Sequence, residues 1–357
     1  MTEVVLVTGA TGLVGTAVVD HLAGEGRTVV ATDLDTPDNR RKAARWEGSD
    51  GVSVHWADLT DHSDVEAVLE KVEPSAIVHL AAVIPPFCYG RPGLARTVNV
   101  DATAGLSRAA ATRPRPPRIV LASSVAVYGP RNPVKHSGVL TSDTPVAPYD
   151  MYGQHKVEAE QIVRDSGLDW VILRLGGVLT VEAATSLDKE LLSFASVLPR
   201  DGRIQTVDVR DVARAFAAAT TTPATGEVFL IGGDESHRQE QARLSRDTSA
   251  AMGLPGAVPA GLPGDPDQDL SWFATDWVDT TRSQEVLDFQ RRSLPQMYDE
   301  IRSAAGWRRH VMRPLAPAVR WYLGRMSLYD KSARVTDPWS VISQRWGDAV
   351  ESTPGAR

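Results

Sequence analysis

The chain has 357 residues, 42% hydrophobic and 23% charged, which is ordinary globular composition with material for a sizeable core in one large or two modest domains. A net charge of −7 argues against general nucleic-acid binding, and the single cysteine, Cys88, excludes an internal disulfide and any multi-cysteine zinc site. The opening "MTEVVLVTGA" carries no basic leader, and no apolar run approaches the roughly 18 residues of a membrane span, so a cytoplasmic protein is expected.

Short Val- and Ile-rich runs alternate with Ala-rich stretches: "VVLVT", "RTVVATD", "VSVHWAD", "AIVHLAA", "RIVLASS" and "WVILRL". Continuous apolar strands between helices predict an α/β fold, a Rossmann-type doubly wound parallel sheet covered on both faces. The dinucleotide-binding core is expected over residues 1–175. Residues 176–306 should interleave further core elements, among them the strands "RIQTVDV" and "GEVFLIGG", with a smaller substrate-binding region. A polar, then Gly/Pro-rich stretch at 236–270 reads as a long loop or flexible boundary. Six of nine tryptophans lie beyond residue 270, and 307–357 reads as a separate basic tail.

The first strand–helix junction, "VTGATGLVGTAVV", sets Gly9, Gly12 and Gly15 where a tight turn feeds a helix N-terminus, the arrangement that cradles a pyrophosphate. The alternative is a plain glycine-rich turn. The second strand ends at Asp33, 24 residues after Gly9, where a carboxylate accepts from an adenosine ribose, which favours NAD over NADP. Asp35 would repel a 2′-phosphate, whereas Arg40 and Arg41 lie within reach of one. Asp33 could equally be a turn-starting carboxylate.

Further on, "YDMYGQHK" contains two tyrosines. Tyr152 and Lys156 are four apart and share a helix face, whereas Tyr149 has Gly153 in the corresponding place. Such a pair would arise by chance in roughly one chain of this composition in eight. The chain uses 32 arginines and only six lysines, so a compact ammonium at this position carries some information. For Tyr152 to act as a base near neutrality its pKa must fall by roughly three units, about 4 kcal/mol, and Lys156 is a candidate source of that field, with an oxidised nicotinamide adding to it. The alternative is an exposed helical pair.

In this order, "TGATGLVG" (8–15), "ADL" (57–59), "HLAA" (79–82), "VNVDAT" (98–103), "ASSVAVYG" (122–129), Tyr152 with Lys156, "ILR" (172–174) and "VDVRDVARA" (207–215) resemble the extended short-chain dehydrogenase/reductases, the group of NAD-dependent epimerases and dehydratases and of 3β-hydroxysteroid dehydrogenases. The resemblance implies Ser124, Tyr152 and Lys156 as the catalytic residues, with Ser123 the competitor for the serine role. It adds Thr11, Leu13 and Val14 to the glycine loop as cofactor contacts, puts Asp58 and Leu59 beside the adenine, and runs Ala81 and Ala82 along the cofactor. Asn99 and Leu175 fall toward the nicotinamide half, where Tyr152 and Lys156 also touch the cofactor. It further implies a homodimer, paired through helices flanking the active site.

Departures from the family pattern narrow the reaction. Val125 and Ala126 stand where dehydratases carry an acidic pair, so dehydration is not expected. Gly176 and Gly177 stand where nucleotide-sugar enzymes commonly show an asparagine, Leu175 and Asp208 replace the family's frequent proline and usual histidine, and Val83, Ile84, Phe87 and Tyr89 would form an apolar wall unless they are simply core. The expected function is hydride transfer between NAD and a small-molecule secondary alcohol or ketone of apolar, steroid-, terpenoid- or acyl-like character. A nucleotide-sugar 4-epimerase and a non-catalytic dinucleotide sensor are the alternatives. Neither His79, in a strand motif, nor His155, in the Tyr-x-x-x-Lys spacer, belongs to a ligand cluster, so no metal is expected.

Residues 307–334 hold seven Arg and Lys against one Asp, a formal +6, which leaves −13 for the remainder of a chain whose total is −7. Pro314 and Pro317 suit a helix start, with Val319, Tyr322, Leu323 and Met326 on one side and Arg320 opposite. Two expectations stand here: peripheral contact with an anionic membrane, or packing against the acidic body or a partner subunit.

Overall fold

Seven parallel strands form the central sheet of the computed structural model, which describes residues 3–182, 189–325, 327–330 and 332–350. In chain order they are β1 (Val4–Thr8), β2 (Thr28–Asp33), β3 (Val52–Trp56), β4 (Ala76–His79), β5 (Arg118–Ser124), β6 (Trp170–Leu175) and, later, β9 (Glu227–Ile231). They lie side by side as β3-β2-β1-β4-β5-β6-β9. A small second sheet joins β7 (Gly177–Leu179), β8 (Arg203–Asp208) and β10 (Arg238–Glu240) in the order β10-β8-β7. All six apolar runs of the sequence become strands of the main sheet. "GEVFLIGG" supplies its edge, and "RIQTVDV" goes to the small one.

Side chains alternate through the sheet. Val5 and Val7 meet Val18, Leu22 and Phe216 on one face, while Leu6 meets Val65, Leu69, Leu106 and Val163 on the other. Each fully buried aliphatic side chain contributes about 1.5–3 kcal/mol, and burial on both faces explains why the runs are continuously apolar. Strand order reverses between β1 and β4, which opens a crevice at the carboxyl ends of the strands.

One buried polar group fixes the helix Met151–Asp165 to this sheet. Arg174 on β6 donates to Glu160 through Nε (2.8 Å) and through its second terminal nitrogen (2.7 Å), and Ser123 Oγ on β5 donates to the same carboxylate at 2.6 Å. Arg174 also donates to Tyr128 Oη at 2.7 Å, whose hydroxyl in turn donates to Thr141 O at 2.8 Å. Burial pushes the Glu160 carboxyl up, but the Arg174 bonds and charge, with Ser123, more than offset this and hold it below its ordinary value.

Two expectations are modified here. The first part of 236–270 holds β10 and the helix Gln241–Ala251, while 252–268 is the expected long loop, packed closely where Gly264 lies so near the Trp272 indole that a Cβ there would approach within 2.5 Å. That helix buries only Leu244, Ser249 and Ala251, which explains why its sequence shows no apolar periodicity. The segment from 307 onward is not one tail. A helical ribbon, Arg308–Met312 continuing through Arg313–Leu315 to Ala316–Arg325, runs along the surface, and the helix Pro338–Trp346 then returns to the body. In the ribbon Val319 packs toward Leu254 and Ala257 while Tyr322, one turn on, is half-exposed at the edge of that seam; Met326 and Lys331 lie outside the described residues. Among the described residues no helix is long and apolar enough to cross a membrane, and no group of three or more His, Cys, Asp or Glu could hold a metal ion.

Removing one partner of a buried ion pair strands the other charge, at a cost of about 3–5 kcal/mol. Glu160→Met and Arg174→Met should each destabilise the protein on that scale in urea unfolding followed by tryptophan fluorescence, and the double variant should be less destabilised than either. Singles costing under about 1 kcal/mol would show that the pair does not anchor the helix.

Candidate active site

The glycine turn is shaped by close approach. Gly9 has φ +63°, and a Cβ there would stand 2.8 Å from Ala81 N; a Cβ on Gly15 would stand 2.1 Å from Gly9 O. Any side chain at either place would push β1, β4 and the helix Leu13–Gly24 apart. Gly12 caps that helix without a side-chain acceptor, so its first-turn N–H groups face outward as an anion site. Leu13 is half-exposed and Val14 packs on the sheet core. Behind the turn Thr8 Oγ1 bonds His79 Nδ1 at 2.8 Å and accepts from Leu80 N and Ala81 N, which carries Ala81 and Ala82 to the mouth of the crevice. Burial, aided by the Lys156 charge, lowers His79 to about 3, so it is a neutral structural residue.

Asp33 closes the other side of the turn. Its Oδ2 accepts from Thr11 N (2.9 Å) and Thr11 Oγ1 (2.7 Å), and its Oδ1 from Leu34 N (2.9 Å). The carboxylate thus shapes the loop as well as presenting a negative charge at the end of β2. Arg40 is held by Asp35 at 2.5 and 2.6 Å and Arg41 by Asp38, so both guanidiniums are already paired. Asp58 and Leu59 follow β3, the neighbour of β2. Asp58 Oδ1 is taken by Thr60 N and Oγ1 and Leu59 packs on the core, so what this pair turns toward the crevice is limited.

Ser124, Tyr152 and Lys156 come together at the carboxyl end of β5. Ser124 pairs in register with Leu175, which ends β6. Its Oγ accepts from Ala126 N at 3.1 Å and bonds the Tyr152 phenol. The neighbouring Ser123 donates to Glu160, which leaves Ser124 as the serine beside Tyr152. Gly153 is required by packing, because a Cβ there would sit 2.6 Å from Ala126 O; the residue one turn after Tyr149 therefore cannot be a lysine. Lys156 Nζ lies 5.7 Å from the Tyr152 ring centroid and donates to Ala122 O at 2.8 Å. Tyr149 turns away to meet Trp339 edge-on at 5.1 Å.

The electrostatics correct one expectation. Burial raises the Tyr152 phenol above its ordinary value, with Cys88 adding to the rise, while the Ser124 bond draws it down and Asp150 raises it further. Lys156 is itself lowered to about 8 by burial, against which Glu160 acts only partly. Among the protein's own groups, burial outweighs the Ser124 bond and holds Tyr152 as a phenol.

Asn99 lies in a π-helical turn, Thr97–Asp101, and is committed on both sides: its Oδ1 accepts from Val83 N (2.7 Å) and its Nδ2 donates to Val83 O (3.0 Å). It positions the loop after β4. In that loop the expected apolar wall is only partly formed, since Ile84 and Phe87 are half-exposed whereas Tyr89 is core and donates to Asp150 at 2.8 Å. The main aromatic cluster beside Tyr152 comes, Tyr149 apart, from residues the sequence did not single out. Trp346, Phe194, Phe273, Trp339 and Tyr149 form a chain of ring contacts 4.9–5.7 Å apart, in one cluster with Tyr152 and Val83. The helix Pro338–Trp346 brings its two tryptophans there, tied by Trp339 Nε1 to Trp272 O (3.1 Å) and by Met151 N to Ala349 O (2.7 Å).

A family model described as the NAD dependent epimerase/dehydratase family matches residues 5–232. The UDP-glucose 4-epimerase 4 of Oryza sativa subsp. japonica is 32% identical over 190 residues, and the match spans about half of each protein, 48% of this chain and 47% of the epimerase. A 3-diazoavenalumate denitrifying reductase of Streptomyces sp is 26% identical over 335 residues, 90% of this chain and 99% of the reductase. A solved short-chain dehydrogenase/reductase superfamily protein from Agrobacterium tumefaciens, with bound NAD, superposes with a TM-score of 0.67 at 25% identity, covering 87% of this chain and 99% of that one. The fold-level likeness extends to the UDP-glucose 4-epimerase of Thermotoga maritima, with a TM-score of 0.68 at 19% identity over 87% of this chain and 100% of that one.

With Asp33 at the end of β2 and Arg40 and Arg41 both paired, NAD should bind at least about tenfold more tightly than NADP, or about 1.4 kcal/mol. Calorimetry giving the reverse order would mean that an arginine leaves its carboxylate to take the 2′-phosphate.

Proposed function

Because the chain belongs to the NAD dependent epimerase/dehydratase family, within the extended short-chain dehydrogenase/reductases, we propose that it moves a hydride between nicotinamide and a secondary alcohol or ketone with an apolar, ring-bearing body. The observation that carries the reading is the aromatic chain from Trp346 to Tyr149 packed beside Tyr152, an apolar environment that suits flat apolar rings better than a diphosphate. Gly176 supports it as well. A Cβ at that position would stand 2.6 Å from Gln205 O, so packing excludes a polar side chain where nucleotide-sugar enzymes commonly hold their substrate. Asp208, another departure, caps the helix Val209–Ala219 and pairs with Arg210 at 2.6 Å. The relative matched over 90% of this chain is named as a reductase.

The glycine cradle, the uncapped helix end and Asp33 fit a dinucleotide, with Ala81, Ala82 and Leu175 along its course. When bound, NAD supplies or accepts the hydride. Ser124 Oγ holds the substrate oxygen, and Tyr152 Oη gives it a proton in reduction or takes one in oxidation. Lys156 keeps a positive charge under the phenol, and the aromatic cluster excludes water from the reacting oxygen. A second reading, sugar-nucleotide 4-epimerase, draws on the epimerase relatives that match about half of the chain.

Purified protein with NAD should release NADH with alicyclic, steroid, terpenoid or acyl secondary alcohols and not with UDP-sugars. Conversion of UDP-glucose to UDP-galactose without NADH release would overturn the proposal in favour of the epimerase. Tyr152→Phe should retain cofactor binding while losing roughly 10²-fold or more in turnover, and Tyr149→Phe should lose far less; the opposite ranking would move the proton-handling role to Tyr149. In the reduction direction Tyr152 must start as a phenol, which its raised pKa ensures. The alkaline limb of kcat/KM should therefore follow the loss of the Lys156 charge, flat at lower pH and falling above about 8. A profile flat to the ordinary lysine value of about 10.4 would show that this charge is not needed.

A further inference from the structure

The ribbon from Trp307 to Arg325 has two unlike sides. Met312, Ala316 and Val319 pack on Leu254 and Ala257 in a narrow seam that fixes it to the body. Trp307, Val311, Leu315, Trp321 and Tyr322 point to water, each between 48% and 73% exposed. Their spacing of four, four and then six to seven residues lays them along one side of a helical run. Five arginines, Arg308, Arg309, Arg313, Arg320 and Arg325, flank the stripe, and no carboxylate occurs between Glu300 and Asp330.

These arginines differ from most of those on the rest of the surface. Many exposed arginines of the body are neutralised in pairs, among them Arg40–Asp35, Arg96–Glu158, Arg282–Glu227 and Arg345–Glu190, while Arg91, Arg108 and Arg200 are exposed without one among the described residues. Among the described residues none of the five ribbon arginines is in an ion pair. Arg320 donates to Gly256 O at 3.1 Å, Arg309 to His310, and Arg325 stacks over the Trp321 ring at 4.0 Å.

We propose that this ribbon is a peripheral docking surface for an anionic lipid bilayer, lying flat with the Trp307–Tyr322 stripe in the headgroup layer and the arginines on lipid phosphates. Tryptophan and tyrosine favour that layer because one end of each ring system is apolar and the other polar, and a guanidinium keeps both water and phosphate there. A protein partner would have to provide a row of carboxylates in register with five arginines. A leaflet of acidic lipids provides phosphates wherever the arginines fall. Charge complementarity works at longer range too, since the acidic body is repelled by the same leaflet and would leave the ribbon as the contacting face.

Flotation of the full-length protein with vesicles tests this. It should rise with phosphatidylcholine vesicles containing about a quarter phosphatidylglycerol at low salt, remain behind with pure phosphatidylcholine, and be released as salt shortens the screening length. Tryptophan emission should shift to the blue on binding. Arg308→Glu with Arg313→Glu, and separately Trp307→Ser with Trp321→Ser, should each lower partitioning by roughly tenfold or more while leaving NAD affinity unchanged. The proposal falls if the wild-type protein stays at the bottom of the gradient with anionic vesicles at low salt, or if both double variants float as well as wild type. It also falls if sedimentation velocity shows that the ribbon variants abolish self-association and leave vesicle binding intact, since the stripe would then be a contact between copies.

Discussion

The carboxylate of Glu160 is the fixed point of the site. It is buried between the helix that carries Tyr152 and Lys156 and the strand that carries Arg174, and it receives hydrogen bonds from both β5 and β6. An anion there would be intolerable alone; the two Arg174 bonds make it tolerable and in doing so set the height and rotation of the helix. One turn back, Lys156 feels the same carboxylate while burial works against its charge, and its Nζ is steered to Ala122 O. The distance from Tyr152 to Ser124 is thus a consequence of a polar network that touches neither.

The opposite side of the site is built from parts far apart in the chain. Phe194, Phe273 and Trp339 converge because the last described helix packs back against the body, with Ala349 O accepting from Met151 N at the start of the Tyr152 helix. The end of that element therefore ties the aromatic cluster to the helix that carries Tyr152. The glycine turn depends on tight backbone approach at Gly9 and Gly15, whereas the aromatic cluster depends on side-chain packing.

Much of the cofactor half was legible in the sequence because its determinants are local. A glycine at a strand–helix turn, a carboxylate at the next strand end and a Tyr-x-x-x-Lys spacing each declare themselves within a few residues, and the apolar runs fixed the strands. Long-range pairings were not legible. Arg174 stood inside a recognised motif, but nothing in the sequence tied it to Glu160, or Ser123 to the same carboxylate. Residues 241–251 bury so little that their helical period is silent, and the two faces of 307–325 could not be told apart until Leu254 and Ala257 were known to cover one of them. The state of Tyr152 was not legible for a related reason: spacing reveals a nearby lysine but not the depth of burial, which raises the phenol.

Lys156 is a buried cation close to losing its proton, and with only six lysines in the chain that state is directly observable. With ε-13C-labelled lysine, an NMR titration should show one resonance moving with a midpoint of about 8, absent in Lys156→Met, while the others titrate near the ordinary value of about 10.4. If all the lysine resonances titrate at the ordinary value, Lys156 is solvated, and the coupling of Glu160, Lys156 and Tyr152 described above is wrong.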